Sequence, residues 1–314
     1  MTTEKKEQPL NDFEERRRAA LAMGGEAKLR ARAEKGVLDA RSRIDRLIDP
    51  GSFYESGLFG RSIMPGDEAT TPADGKIAGY ARIDGREVAV ISNDFTVKGA
   101  SSSLTNMRKI GQMRRIAAMR GLPMVWLGES SGARLPDNQG SRGMGTMLGN
   151  DPTQYQRMRE TPWVSAILGY CYGSSFLYNC CSDFSVIRKG AVMAVSSPGL
   201  IELATGEKLS PEDLGGWRIH AETTGMVDMV VDTDEEALDA LRKFLSYMPT
   251  HHKEMPPVRP APAGSGEGMR TIQDLLPASR TQVYDMRKII QRIVDNDSYF
   301  EMKARFGRVA VTAP

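Results

Sequence analysis

Gly169-Tyr170-Cys171-Tyr172-Gly173-Ser174-Ser175 and, earlier in the chain, Glu129-Ser130-Ser131-Gly132-Ala133-Arg134 each follow directly on an apolar, strand-like stretch. Small residues at a strand end let backbone N–H groups approach a ligand carbonyl, and preorganised amides of that kind hold an oxyanion without a side-chain nucleophile. Either run therefore reads as a candidate oxyanion site at a strand end.

Working outward, strand-like runs recur at Pro123–Gly128, Val164–Gly169, Phe184–Ile187, Ala191–Ser196 and Met226–Val231, most of them separated by polar or helical sequence. That alternation predicts α/β layering and not a β-sandwich. Ahead of them, Ile77–Ile83 and Glu87–Ser92 are joined by Asp84-Gly85, a hairpin signal. Met107, Ile110, Met113, Ile116 and Ala117 fall at helical spacing within Leu104–Arg120, and Thr233-Asp-Glu-Glu caps a second helix reaching Tyr247. Asp12–Arg46 suits one or two exposed amphipathic helices, Asp285–Phe300 suits another, and Arg308–Thr312 resembles a short strand.

With 314 residues, one large or two smaller domains are expected. Forty-two basic against 40 acidic residues leave a net charge of +2, which gives no global argument for nucleic acid or an anionic membrane. Cys171, Cys180 and Cys181 are odd in number and lack a CxxC, which speaks against a disulfide framework or a structural zinc site. The N-terminus has no apolar leader and no run of eighteen apolar residues occurs, so a cytoplasmic protein without membrane insertion is expected.

Several motifs compete for a chemical role. Gly128-Glu-Ser130-Ser-Gly132 matches GxSxG, with Asp183 and His220 following in triad order, but Pro136 follows where a nucleophile elbow needs a helix. Gly143-Met-Gly145-Thr-Met-Leu-Gly149 resembles a dinucleotide fingerprint with one residue too many. Asn93-Asp94-Phe95-Thr96-Val97-Lys98-Gly99 precedes a serine run and a basic helix with Arg108, Lys109, Arg114 and Arg115, a set able to meet ligand phosphates or simply to be solvated. His251 and His252 fall in a proline-rich stretch and read as loop residues.

Seven segments in order resemble the carboxyltransferase (beta) subunits of biotin-dependent acyl-CoA carboxylases, the propionyl-CoA carboxylase beta type: ARSRIDRLIDPGSF from Ala40, NDFTVKG from Asn93, SGAR from Ser131, the Gly169–Phe184 run, ATGEKLSPEDLGG from Ala204, HAETTGMVD from His220, and the stretch leading to Phe300-Glu301. The resemblance implies an α/β, crotonase-like superhelix of ββα units with N-terminal helices. It divides the chain into an N-terminal helical segment (1–50), a crotonase-like carboxyltransferase N-terminal domain (51–248), a linker (249–270), and a connecting helix with the start of a further domain (271–314).

The activity so implied is transfer of a carboxyl group between carboxybiotin and the α-carbon of an acyl-CoA through an enolate held by backbone amides. Biotin would be carried on a partner protein and the coenzyme A thioester would be the substrate. Partners would be a C-terminal carboxyltransferase half, a biotin carboxylase and a biotin carrier protein, in a homo- or hetero-oligomer. By alignment, the amides of Gly173 and Ser174 hold the thioester oxygen; Gly132 and Ala133 line the acyl channel; Lys98 and Arg134 meet CoA phosphates. Serine at 174 replaces a second glycine of the family pattern, and Ser131 also replaces a glycine. An acyl-CoA decarboxylase subunit of a sodium pump, a serine hydrolase on Ser130, and an inactive assembly subunit whose Ser174 blocks the pocket remain as alternatives.

Overall fold

The computed structural model of the protein describes residues 4–139 and 160–309. The Gly143–Gly149 run and the end of the Arg308–Thr312 stretch lie outside them. Within the described residues eight strands form one sheet: β1 (Tyr54–Glu55), β2 (Lys76–Ile83), β3 (Arg86–Asn93), β4 (Met124–Ser130), β5 (Trp163–Tyr172), β6 (Phe184–Arg188), β7 (Val192–Ala194) and β8 (Met229–Val231). Their order is β1-β2-β3-β4-β5-β6-β8, with β7 pairing β5. The β1-β2-β3 part is antiparallel and every later pairing is parallel. Asp84 and Gly85 turn the β2-β3 hairpin with φ of 50° and 78°, the two left-handed residues that a tight hairpin requires.

Period-two alternation sends successive side chains of the inner strands to opposite faces. Val125 and Leu127 of β4 join Val164 and Ala166 of β5 in a core covered by α3 (Ala40–Leu47) and by the capped helix Asp234–Leu245. Met124 and Trp126 face the other way, against Ile110 and Met113 of α4 (Leu104–Arg120) and Tyr178. Ser103 and Asn106 close a capping box at the start of α4, and Gly121 ends it with φ of 67°.

Both chain ends depart from the sequence reading. The N-terminal region forms three helices, α1 (Glu4–Leu21), α2 (Glu26–Ala33) and α3, broken at Gly24-Gly25 and Gly36. The third is not exposed: Arg43 is fully buried, because Glu129 and Asp234 meet its guanidinium at 2.7 and 2.9 Å. The helix expected over Asp285–Phe300 is confined to Met286–Ile293. Asn296 and Asp297, the latter with φ of 64°, turn the chain, and Phe300 returns to the core beside Phe184 with ring centroids 5.4 Å apart.

Candidate active site

The sheet places the two glycine runs against each other. Ser130 at the end of β4 pairs with Cys171 of β5, so the turns that follow both strands emerge side by side. Gly132 has φ of 100°, and Gly173 has φ of 63° with ψ of −124°. A Cβ on Gly173 would stand 3.6 Å from the Gly132 Cα, and one on Gly132 would stand 3.7 Å from the Tyr172 Cβ. A third segment completes the wall: the Ser131 N–H donates to the Gly99 carbonyl (2.9 Å), Ser102 N–H to the Gly132 carbonyl (2.8 Å) and Arg134 N–H to the Ser102 carbonyl (2.9 Å).

The amides do not distribute as the alignment implies. The Gly173 N–H donates to the carbonyls of Ala194 (3.3 Å) and Val195 (3.1 Å), so it is occupied by the strand beside it. Ser174 opens the helix Ser174–Cys180, where the first N–H groups have no carbonyl a turn behind them. Neither the Ser174 N–H nor the Ala133 N–H meets an acceptor among the described residues. The free donors beside the Gly132–Gly173 contact are thus Ala133 and Ser174, one from each run. The Ser174 hydroxyl lies 2.7 Å from that of Ser102.

Beneath the Gly132 turn is a buried polar network. The Ser130 hydroxyl donates to the Ala100 carbonyl (3.0 Å) and accepts from the Gly132 N–H (3.2 Å). Lys76, also fully buried, donates its Nζ to the same carbonyl at 2.7 Å, and burial pushes its pKa down to about 7. Arg134 is 6% exposed; its guanidinium pairs with Asp74 at 2.6 Å and donates to the Ser101 hydroxyl at 3.1 Å. Ser103 donates to the other Asp74 oxygen. Together these bonds fix the strand-to-helix loop whose carbonyls and amides hold the Gly132 turn.

Two of the cations expected at ligand phosphates are therefore committed elsewhere. Arg134 is an interior ion-pair partner, because a guanidinium so buried needs its carboxylate. Lys109 is 8% exposed and donates to the carbonyls of Lys76 (2.5 Å) and Gly57 (3.1 Å), with burial lowering its pKa to about 8. Lys98 lies at the surface, paired to Asp67 at 3.0 Å. The hydrolase constellation does not assemble. Ser130 is buried, the His220 Nε2 donates to the Met193 carbonyl (2.6 Å), and an Asp183 carboxylate oxygen accepts from the Trp163 N–H (2.9 Å). Cys171 is buried, and burial raises its thiol to about 12, as for an inert packing residue.

Sequence reasoning missed Asp74, Lys76, Ser102 and Glu129. The signal for the first two was a pair of charges set at the very start of a β-branched, apolar strand, where solvent exposure was the default expectation. Glu129 accepts from both Arg43 and Arg32; burial alone would raise its pKa, but the two guanidinium groups outweigh that and hold it below the usual carboxylate range.

Comparison with known proteins agrees with this architecture. The family described as carboxyl transferase domain matches residues 31–314. The propionyl-CoA carboxylase beta chain of Roseobacter denitrificans is 31% identical over 310 residues, which cover 96% of this chain and 60% of that one. The propionyl-CoA carboxylase carboxyltransferase subunit of Haloferax mediterranei is 32% identical over 311 residues, covering 96% and 59%. Among solved structures, the transcarboxylase 12S hexamer with hydrolyzed methylmalonyl-coenzyme A bound superposes with a TM-score of 0.87 at 28% identity, covering 99% of this chain and 61% of that one. The fold is thus that of the crotonase-like carboxyltransferases, and the chain spans about 60% of the length of these relatives.

Proposed function

We propose that this chain, which belongs to the carboxyl transferase domain family, is the acyl-CoA half of a biotin-dependent carboxyltransferase of the propionyl-CoA carboxylase type. Its thioester oxygen would be held by the N–H groups of Ser174 and Ala133. The observation that carries the reading is the contact of the Gly132 and Gly173 turns, with those two amides left without acceptors beside it. It shifts one donor of the aligned pair from Gly173 to Ala133 and keeps the other.

The chemistry follows from the donor set. Removing the α-proton of a thioester puts negative charge on its carbonyl oxygen, and fixed N–H donors stabilise that enolate more than the ground-state carbonyl. Carboxybiotin, carried on a partner protein, would break its N–carboxyl bond to supply the carbon dioxide that the α-carbon attacks, and the ureido nitrogen so freed would take the α-proton. The two amides suffice for one oxyanion, so a biotin ureido oxygen would need donors from outside the described residues. That agrees with a complementary carboxyltransferase half, a biotin carboxylase and a carrier protein as partners in an oligomer. Gly132 and Ala133 would line the acyl channel. Lys98, at the surface, stays a candidate for the CoA phosphates.

Proline is tolerated at the first position of a helix and lacks an N–H, so Ser174→Pro removes the proposed donor at small structural cost. Calorimetry should show propionyl-CoA binding to the native protein and a loss of about tenfold or more in the variant, with circular dichroism unchanged. Equal affinity in the two proteins would remove Ser174 from the site. A native protein that assembles with its complement but binds no acyl-CoA would instead favour the inactive assembly subunit.

A further inference from the structure

The run from Gly215 to His220 lies along the outer edge of β7, the three-residue strand behind the Gly173 turn. We propose that His220 is a positioning residue for the Ser174 amide: by holding the Met193 carbonyl it fixes β7, at whose end the Gly173 N–H is bonded. The inference rests on the function proposed above and names a side chain that supports one of its two oxyanion donors.

The shortness of β7 is the first argument. It meets β5 in three pairs, Tyr170 with Val192, Cys171 with Met193 and Tyr172 with Ala194, and no other strand among the described residues pairs with it. Ala194 and the next residue, Val195, supply the carbonyls that take the Gly173 N–H, at 3.3 and 3.1 Å. A pairing with so few bonds opens locally at low cost, so what lies on the other edge decides where those carbonyls stand. There Val192 bridges Gly216, and Gly215 comes so close that a Cβ on it would collide with the Met193 carbonyl. His220 adds the side-chain bond, its Nε2 lying 2.6 Å from the Met193 oxygen.

The second argument is how the ring is aimed. Ile219–Thr223 forms a π-turn closed by the Thr224 N–H on the Ile219 carbonyl at 2.9 Å, a widened helical form that recurs at functional sites. His220 on that turn is buried beside Met193. A carbonyl only accepts, so the ring proton sits on Nε2, and Nδ1 faces the Thr224 hydroxyl at 3.3 Å. Burial lowers the pKa of the ring and keeps it neutral at pH 7. Without the ring, the buried Met193 carbonyl loses this donor, and an unbonded buried carbonyl is costly enough to drive a shift of the strand that carries it. Ala194 and Val195 follow directly on Met193, so the shift reaches Gly173 and, one residue on, the Ser174 N–H.

The test compares the full native chain with His220→Leu, His220→Asn and His220→Gln. Glutamine sets its amide nitrogen near the place of Nε2 and can still donate to Met193. Leucine cannot donate, and asparagine is too short to reach, although its amide can still meet Thr224. Hydrogen exchange is read at the Gly173 amide, with the amide of Met113 in α4, on the other face of the sheet, as control. Calorimetry compares propionyl-CoA with S-propyl-CoA, a thioether that keeps the CoA and lacks the carbonyl oxygen. In the leucine and asparagine variants Gly173 should exchange roughly tenfold faster or more while Met113 is unchanged. Most of the native preference for thioester over thioether should be lost with thioether affinity retained, and glutamine should restore both readouts. Asparagine carries the comparison should the leucine variant fail to fold. Gly173 exchange that is unchanged, or speeded no more than that of Met113, overturns the proposal. A glutamine variant no better than the asparagine one overturns it too, because the role would then not be a donor's. If Gly173 is released in the variants but the native protein binds thioester and thioether alike, His220 still holds the turn and it is the function proposed above that falls.

Discussion

The turn at Gly132 and the turn at Gly173 touch, carry the same kind of residue, and are held differently. The first has side-chain support beside its main-chain bonds to Gly99 and Ser102: Ser130 caps the Gly132 amide, and Arg134 is locked to Asp74 below it. Main chain fixes the second, through the Gly173 N–H on the Ala194 and Val195 carbonyls. A glycine whose own amide is consumed in positioning cannot also present it to a ligand, and the unspent amide is that of the next residue. In the Gly132 run, likewise, the glycine amide is bonded internally and the following amide, Ala133, is free. The shared rule is that the glycine shapes the turn and leaves the amide of its successor free.

Arg134→Met breaks the side-chain support most severely. It leaves Asp74 buried without its guanidinium partner, and removing one partner of a buried pair costs about 3–5 kcal/mol; chemical denaturation should read this as a large fall in midpoint. A fall as small as that of a surface charge change would show that the network is not what holds the turn. Gly173→Ala tests the main-chain side. The added Cβ meets nothing closer than 3.6 Å, so the cost comes from φ of 63° with ψ of −124°, a region closed to side chains. About 1–3 kcal/mol is expected, with weaker propionyl-CoA binding as the Ser174 amide moves. A variant as stable as the native protein would mean that the turn does not need this conformation.

These contrasts explain what the sequence made legible. The hairpin at Asp84-Gly85, helix Leu104–Arg120 and the capped helix after Thr233 follow from local turn, periodicity and cap chemistry, and the structure has each of them. That each glycine run lies at a strand end was legible from the apolar stretch before it; that β4 and β5 are parallel neighbours, running on through Ser130 and Tyr172 so that the turns meet, comes from the sheet pairing. Which amide is free was not legible: it depends on Val195, which reaches Gly173 only through the β5–β7 pairing. Arg134 and Lys109 read as cations open to ligand phosphate or solvent because charge is usually solvated, and only tertiary contacts supply the carboxylates and carbonyls that let them, like Arg43 and Lys76, be buried.

Lys76 sharpens the same comparison through pH, because it bonds to the Ala100 carbonyl that also takes Ser130. Its pKa in the folded protein is about 7, well below that of a free lysine. Above that value the unfolded chain binds the extra proton, so stability rises with pH, by at most about 1.4 kcal/mol per pH unit for this one group. Lys109 adds its own rise above about 8. Between pH 7 and 8 the increase belongs mainly to Lys76, and Lys76→Met should flatten the curve there. An unchanged slope would show that Lys76 does not titrate in this range.

The smallest expected effect separates the Ser174 side chain from its amide. Ser174→Gly keeps the N–H and restores the residue the family pattern has, while deleting the hydroxyl that lies 2.7 Å from Ser102. Loss of one partly buried hydrogen bond between neutral groups is worth about 1 kcal/mol, so a modest drop in denaturation midpoint is expected with propionyl-CoA affinity held within about tenfold. A rise in affinity well beyond that, against an unchanged Ser174→Ala, would show that the Cβ narrows the pocket. A collapse of binding in Ser174→Gly would show that the hydroxyl, and not the main chain, contacts the thioester, and the rule drawn from the two turns would fail at its better-supported end.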